Sequence, residues 1–92
     1  VIFRYIVEMQ NDKKIKLVVL TPQKTLLETY VDKVTLPASK GQFMVLYNHA
    51  SVITSLEEGI LLYADGQKQE VLEILGGFAE VDDNVVTVCA EV

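Results

Sequence analysis

Few residues in this chain could carry chemistry. His49 is the single histidine and Cys89 the single cysteine. An imidazole beside a hydroxyl can act as a general base, and Ser39, Ser51 and Ser55 lie on either side of His49. The spacing supplies no third group to orient the ring, and the bland alternative is a loop histidine that hydrogen-bonds to its own neighbours. The carboxylates come as adjacent pairs, Glu57-Glu58 and Asp82-Asp83. Neighbours in an extended chain point to opposite faces, so neither pair converges on one substrate atom. Gly76-Gly77 has no lysine-ended phosphate loop around it and no helix after it. One histidine and one cysteine are too few for a zinc site, and a lone cysteine forms no intrachain disulfide. These residue types imply no catalytic residues, no metal and no cofactor.

Charge narrows the partners. Eight basic residues stand against thirteen acidic ones, a formal net charge of −5. A phosphate-binding surface needs clustered cations, and only Lys13, Lys14 and Lys16 fall close together. Nucleic acid and an anionic bilayer are therefore poor partners. The longest apolar runs, Phe43 to Tyr47 and Ile60 to Ala64, fall far short of the ~20 residues that span a membrane. The opening Val-Ile-Phe-Arg-Tyr-Ile-Val is broken by Arg4 and too short for a signal peptide's apolar region. The expectation is a soluble intracellular domain.

The elements that must hold these residues read as strands. Ninety-two residues suit one domain. Residues 1–13 read as an extension and linker, with Met9 a plausible alternative start and Gln10 to Lys14 solvated; residues 14–92 form the domain. Ile15 to Leu20 is a strand ended by Thr21-Pro22. Leu26 to Leu36 splits into two strands at Asp32-Lys33. Phe43 to Tyr47 and Ser51 to Leu56 follow, then Ile60 to Ala64 closed by Asp65-Gly66, a dipeptide suited to a type I′ turn. Glu70 to Leu75 returns. Gly76-Gly77 marks a bulge or a close backbone approach. Phe78 to Val81, a turn at Asp82-Asp83-Asn84, and Val85 to Ala90 make the last hairpin, with Val86, Val88 and Ala90 on the core face. No window keeps a helical period. The fold class is all-β, a small antiparallel β-sandwich of eight to ten short strands.

In this order the motifs carry a resemblance. Leu17 to Pro22, Val31-Asp32-Lys33-Val34-Thr35-Leu36-Pro37, Gly41 to Ser51 with Thr54, Leu56 and Gly59, then Gly76-Gly77-Phe78-Ala79-Glu80-Val81 with Asn84 and Val86 to Ala90, stand in family-like order and spacing. Over residues 14–91 the chain resembles the N-terminal β-sandwich domain of the ε subunit of rotary ATP synthases (δ in mitochondria). Departures are local. Tyr47-Asn48 replaces Pro-Gly before His49-Ala50, and Asn tolerates the left-handed conformation that Gly would take there. Ser51 replaces a proline, Ala38 and Met44 replace glycines, and Gln42 replaces a commonly acidic residue.

The resemblance implies a non-catalytic rotor subunit of a proton-translocating ATP synthase. Such a subunit couples rotation of the membrane c-ring to the γ subunit. By position, Gln42, Tyr47, Asn48 and His49 are expected on a loop facing the c-ring, and Phe78 and Val81 on the γ-facing side. Partners would be γ and the c-ring, with membrane contact only through the complex, peripheral on the cytoplasmic side of a bacterial inner membrane. Family members usually continue into a C-terminal helical hairpin; with the sequence ending at Val92, no nucleotide binding and no helix-based inhibition are expected of it. Three other readings stay open: a β-sandwich module docking a peptide on a free edge, a minor hydrolase using His49 with a neighbouring serine, and a structural fragment of a larger chain.

Overall fold

A computed structural model describes residues 13–92, so the expected extension over residues 1–8 lies outside the described residues. Nine strands follow in order: β1 (Ile15–Leu20), β2 (Thr25–Val31), β3 (Lys33–Ala38), β4 (Gly41–Val45), β5 (Val52–Leu56), β6 (Gly59–Asp65), β7 (Lys68–Ile74), β8 (Gly76–Asp82) and β9 (Val85–Glu91). No helix occurs among the described residues. The strands form one sheet, β2-β1-β9-β8-β5-β3-β6-β7, with β4 added on β3. It folds over on itself at a thin corner, where β5 and β3 share only the Ala38–Leu56 bridge.

Alternation explains the core. Ile15, Leu17 and Val19 of β1 and Val86, Val88 and Ala90 of β9 point inward and are almost fully buried. Val34 and Leu36 of β3, Leu61 of β6 and Ile74 of β7 meet them from the other layer. No polar or charged residue is buried, and no buried side-chain nitrogen or oxygen lacks a partner among the described residues.

Three local features differ from the sequence reading. The pairings are antiparallel except β1–β9, which is parallel from Lys16–Val85 to Leu20–Cys89. These two strands lie at opposite ends of the chain, so no tight hairpin constrains their direction. The β6–β7 turn is centred on Gly66-Gln67, not Asp65-Gly66: Asp65 pairs with Lys68, and only Gly66 has positive φ (65°). Glycine first is the type II′ pattern. The type I′ pattern appears instead at Asp83 (φ 50°) and Asn84 (φ 63°), between the paired Asp82 and Val85.

Pro37 stands inside β3, where pairing to β6 over Lys33–Thr35 has ended and the bridge to β5 begins. A residue without an N–H is tolerated at that switch of partners. Gly77 makes the close backbone approach its glycine pair suggests. A Cβ there would lie 2.0 Å from the Cys89 carbonyl oxygen. Finally, Lys14 pairs with Asp32 (2.8 Å) and with Asp65, and the Asp32 carboxylate also accepts the Gly66 N–H (2.6 Å). This cluster ties the start of β1 to the β2–β3 bend and the β6–β7 tip. The Lys14 hydrogen bond, and then the Gly66 amide, hold the Asp32 carboxyl below its ordinary pKa.

Candidate functional site

The expected c-ring-facing residues divide. β4 ends at Val45, two residues short of the Phe43–Tyr47 strand read from sequence. Phe43 and Val45 face inward; continued alternation would drive Tyr47 into the core as well. Instead the chain turns, His49 N–H donating to Leu46 O (3.1 Å), and Tyr47 is left 39% exposed. Gln42 lies toward the other end of β4, opposite Pro37 and beside the Ser39-Lys40 tip. Three residues of strand separate it from Leu46, four steps of the backbone or about 13 Å. The structure thus gathers Tyr47, Asn48 and His49 in one loop and sets Gln42 apart.

That loop is held at three points. The His49 ring meets Phe43 edge-on, with centroids 5.0 Å apart and planes at 81°. Asn48 takes the left-handed conformation at φ 65°, as its place in the Pro-Gly position suggests. Its N–H donates to Asn84 Oδ1 (2.6 Å), and Asn84 Nδ2 donates back to Asn48 Oδ1 (3.2 Å). Ser51 Oγ donates to Asp82 Oδ1 (2.7 Å). Two of the three holds therefore come from the β8–β9 turn. Loop and turn enclose a polar concavity of about 380 Å³. Sequence reasoning missed Asp82 and Asn84 as partners: it reads them as turn formers, and nothing local tells which loop a turn will touch.

No acid–base pair assembles around His49. Its Nδ1 is 2.7 Å from the Ala50 carbonyl oxygen, the local hydrogen bond of the bland reading. Ser39 and Ser55 hydrogen-bond to each other (2.7 Å), while Ser51 serves Asp82. Among the described residues, no three His, Cys, Asp or Glu side chains cluster as metal ligands would.

Phe78 and Val81, paired in the expectation of a γ-facing side, part company. They are three residues apart on β8, so alternation sends them to opposite faces. Phe78 is 53% exposed, whereas Val81 is buried in the core and offers no contact surface. Phe78 belongs to a row across the outer face, Ser55–Phe78–Cys89–Leu20, set by the pairings of β5, β8, β9 and β1. Beside it lies Ile53, 71% exposed. Leu20, Pro22, Phe78 and the half-buried Cys89 line an apolar groove of about 390 Å³. The opposite outer face has its own row, Met44–Thr35–Leu62–Val71, across β4, β3, β6 and β7.

Residues 14–92 match the family described as the ATP synthase delta/epsilon chain β-sandwich domain. An ATP synthase epsilon chain of Leptospira interrogans is 38% identical over 78 residues, covering 85% of this chain and 61% of its own length. That of Carboxydothermus hydrogenoformans is 44% identical over 77 residues, covering 84% and 58%. The chain thus spans about three fifths of the length of these curated relatives. Among solved structures, a chain of the Euglena gracilis mitochondrial ATP synthase assembly with OSCP, F1 and c-ring superposes with TM-score 0.80 at 30% identity, covering 85% of this chain and 51% of that one. A chain of the Tetrahymena thermophila mitochondrial ATP synthase central stalk and c-ring gives TM-score 0.71 at 15% identity, covering 84% and 63%, which is a likeness of fold.

Proposed function

The chain belongs to the ATP synthase delta/epsilon chain β-sandwich family, and from that membership we propose that it is a non-catalytic central-stalk subunit of a proton-translocating ATP synthase. The observation that carries this is the 30% identical likeness, over 85% of the chain, to a chain of the Euglena synthase assembly. In this reading the sandwich is a rigid piece turning with the c-ring and γ, and ATP is made or split elsewhere in the complex. It is peripheral to the membrane, on the cytoplasmic side in a bacterium.

Two surfaces divide the work. The clamped loop of Tyr47, Asn48 and His49 faces the polar loops of the c-ring, and Gln42 meets that ring from the β3–β4 tip. Tyr47 supplies an aromatic body with a polar end, a side chain well suited to anchoring an interface. The outer face bearing Phe78 and Ile53 grips γ. Exposed apolar side chains on that face support the reading, because a stalk contact that never releases is built from apolar area. The stiffness a coupling piece requires is supported by a core with no buried polar residue among the described residues.

The experiment is co-purification of the 92-residue chain with a tagged γ subunit and c-ring from the same organism, at moderate salt. A one-to-one complex with γ, lost on changing Phe78 or Ile53, is expected. A folded chain that binds neither γ nor c-ring would overturn the rotor reading and favour peptide docking on a free strand edge.

A further inference from the structure

All three non-glycine residues with positive φ among the described residues, Asn48, Asp83 and Asn84, meet at one end of the sandwich. Such conformations persist where the surroundings over-determine them, and they gather at sites that must hold a shape. Here the surroundings are reciprocal. Asn84 accepts the Asn48 N–H and returns a hydrogen bond to the Asn48 side chain, so its carboxamide bridges the backbone and the side chain of Asn48 in one ring. Asn84 is itself pinned, because its carbonyl oxygen accepts the Lys16 N–H (2.9 Å) and extends the β1–β9 ladder into the turn. Its neighbour Asp82 takes the Ser51 hydroxyl at the loop's far end.

We propose that Asn84 is a positioning residue for the 46–51 loop, its carboxamide holding Asn48 left-handed and thereby fixing how Tyr47 and His49 are presented. The consequence for binding rests on the reading that this loop faces the c-ring. The loop lacks the Pro-Gly that the family resemblance places before the histidine. A cross-loop clamp supplies from outside the rigidity that those residues would have supplied from within.

Asn84→Gly is the clean perturbation. Glycine keeps positive φ, and Asp-Gly is a favoured type I′ pair, so the turn survives while the side chain goes. Asn84→Asp is the rescue: a carboxylate accepts the Asn48 N–H and, once Asn48 turns its amide over, its Nδ2 as well. Three quantities are measured on the full chain: amide exchange by NMR, thermal midpoint, and affinity for detergent-solubilised c-ring from the same organism.

In Asn84→Gly, exchange at Asn48 is expected to rise about tenfold, the scale of one lost net hydrogen bond. Core amides such as those of Leu17 and Val88 stay protected, and Asn84→Asp restores Asn48. Unchanged exchange at Asn48 would overturn the proposal. So would a general loss of protection across the core, which would make Asn84 a plain stabiliser. Faster exchange at Asn48 together with weaker c-ring binding supports both steps. Faster exchange with unchanged c-ring binding leaves the positioning standing and removes the c-ring from the reading.

Discussion

Replacing Gly77 with alanine should be among the most damaging single-methyl additions in this chain. The new Cβ would sit 2.0 Å from the Cys89 carbonyl oxygen and 3.1 Å from the Ala90 Cα. A carbon and a carbonyl oxygen come no closer than about 3.3 Å even in favourable contact, so β8 and β9 must part locally by about 1 Å. That is roughly a fifth of the normal spacing between strands, enough to break the hydrogen bonds beside the Gly77–Ala90 and Phe78–Cys89 pairs. The backbone adds its own cost, since φ is +136°. A side chain forced into such a region costs about 1–3 kcal/mol. Two broken ladder bonds add about 1 kcal/mol each, for a total of about 3–5 kcal/mol. A domain this size holds only about 4–12 kcal/mol. At ~4–8 °C per kcal/mol, thermal denaturation followed by circular dichroism should show Tm falling by at least ~12 °C, or no folded state at all. Gly41→Ala is the control, because Gly41 also has a positive φ (+118°) but nothing lies within 4 Å of its would-be Cβ. It carries the strain without the collision. Should Gly77→Ala melt no lower than Gly41→Ala, the close approach is not the reason for glycine at that position.

Burial predicts a sharp contrast between Leu61 and Ile53. Urea unfolding should show Leu61→Ala, fully buried, losing about 2–5 kcal/mol, and Ile53→Ala, 71% exposed, changing stability by about 0.5 kcal/mol or less. Phe78 and Val81 should split by readout. Phe78→Ser is expected to leave the melt intact and weaken γ binding about tenfold, whereas Val81→Ser should lower the melt; equal effects of the two on both readouts would remove the assignment of the Phe78 face. The Asp32 cluster predicts a pH dependence. The Asp32 carboxyl is held below its ordinary pKa by Lys14 and the Gly66 amide, so its contribution is present above about pH 4 and lost as pH falls through the folded value. Being well exposed, it contributes no more than about 1 kcal/mol. Wild type and Asp32→Asn should therefore differ in urea midpoint at pH 7 and converge as pH falls below the ordinary aspartate range; a gap independent of pH would show that the charge is not responsible.

The strands were legible because alternation and turn residues are local signals. Val86, Val88 and Ala90 could be assigned to the core from period two alone, and Gly77 from its interruption of an apolar run. Direction and partnership were not legible. Nothing within Ile15–Leu20 or Val85–Glu91 says that these strands will lie side by side in parallel, since that pairing is decided by how the whole sheet closes. The same limit governs the site. Asn48 could be read as a left-handed residue from its type and place, but its partner Asn84 is 36 positions away. Phe78 and Val81 show an avoidable error: an odd separation on a strand already forbids a shared face. Asp65-Gly66 shows a subtler one, because the pairing of Asp65 with Lys68 shifts the turn by one residue and changes its type.

The two surfaces proposed for binding are not independent features on a common scaffold. Phe78 lies in β8, and the turn that follows β8 carries Asp82 and Asn84, which hold the 46–51 loop. From that turn the backbone enters β9, paired on one side to β8 and on the other to β1. A force applied at Tyr47 or His49 therefore passes through the Asn48–Asn84 clamp into a hairpin whose second strand is interior to the sheet. Along this route no flexible connection intervenes before the Phe78 face, since the turn is two residues long and its Asn84 carbonyl is bonded to Lys16. By contrast, the β4–β5 loop without its clamp would join the sandwich only through its own two ends, the Ser51–Asp82 hydrogen bond and the Phe43–His49 contact. Loops held that way open at little free-energy cost, and a soft element in series would absorb displacement rather than pass it on. On the rotor assignment, a carboxamide pair at the edge of the sandwich is thus a mechanical component. Its loss should weaken coupling between c-ring and γ while leaving the affinity for γ alone unchanged.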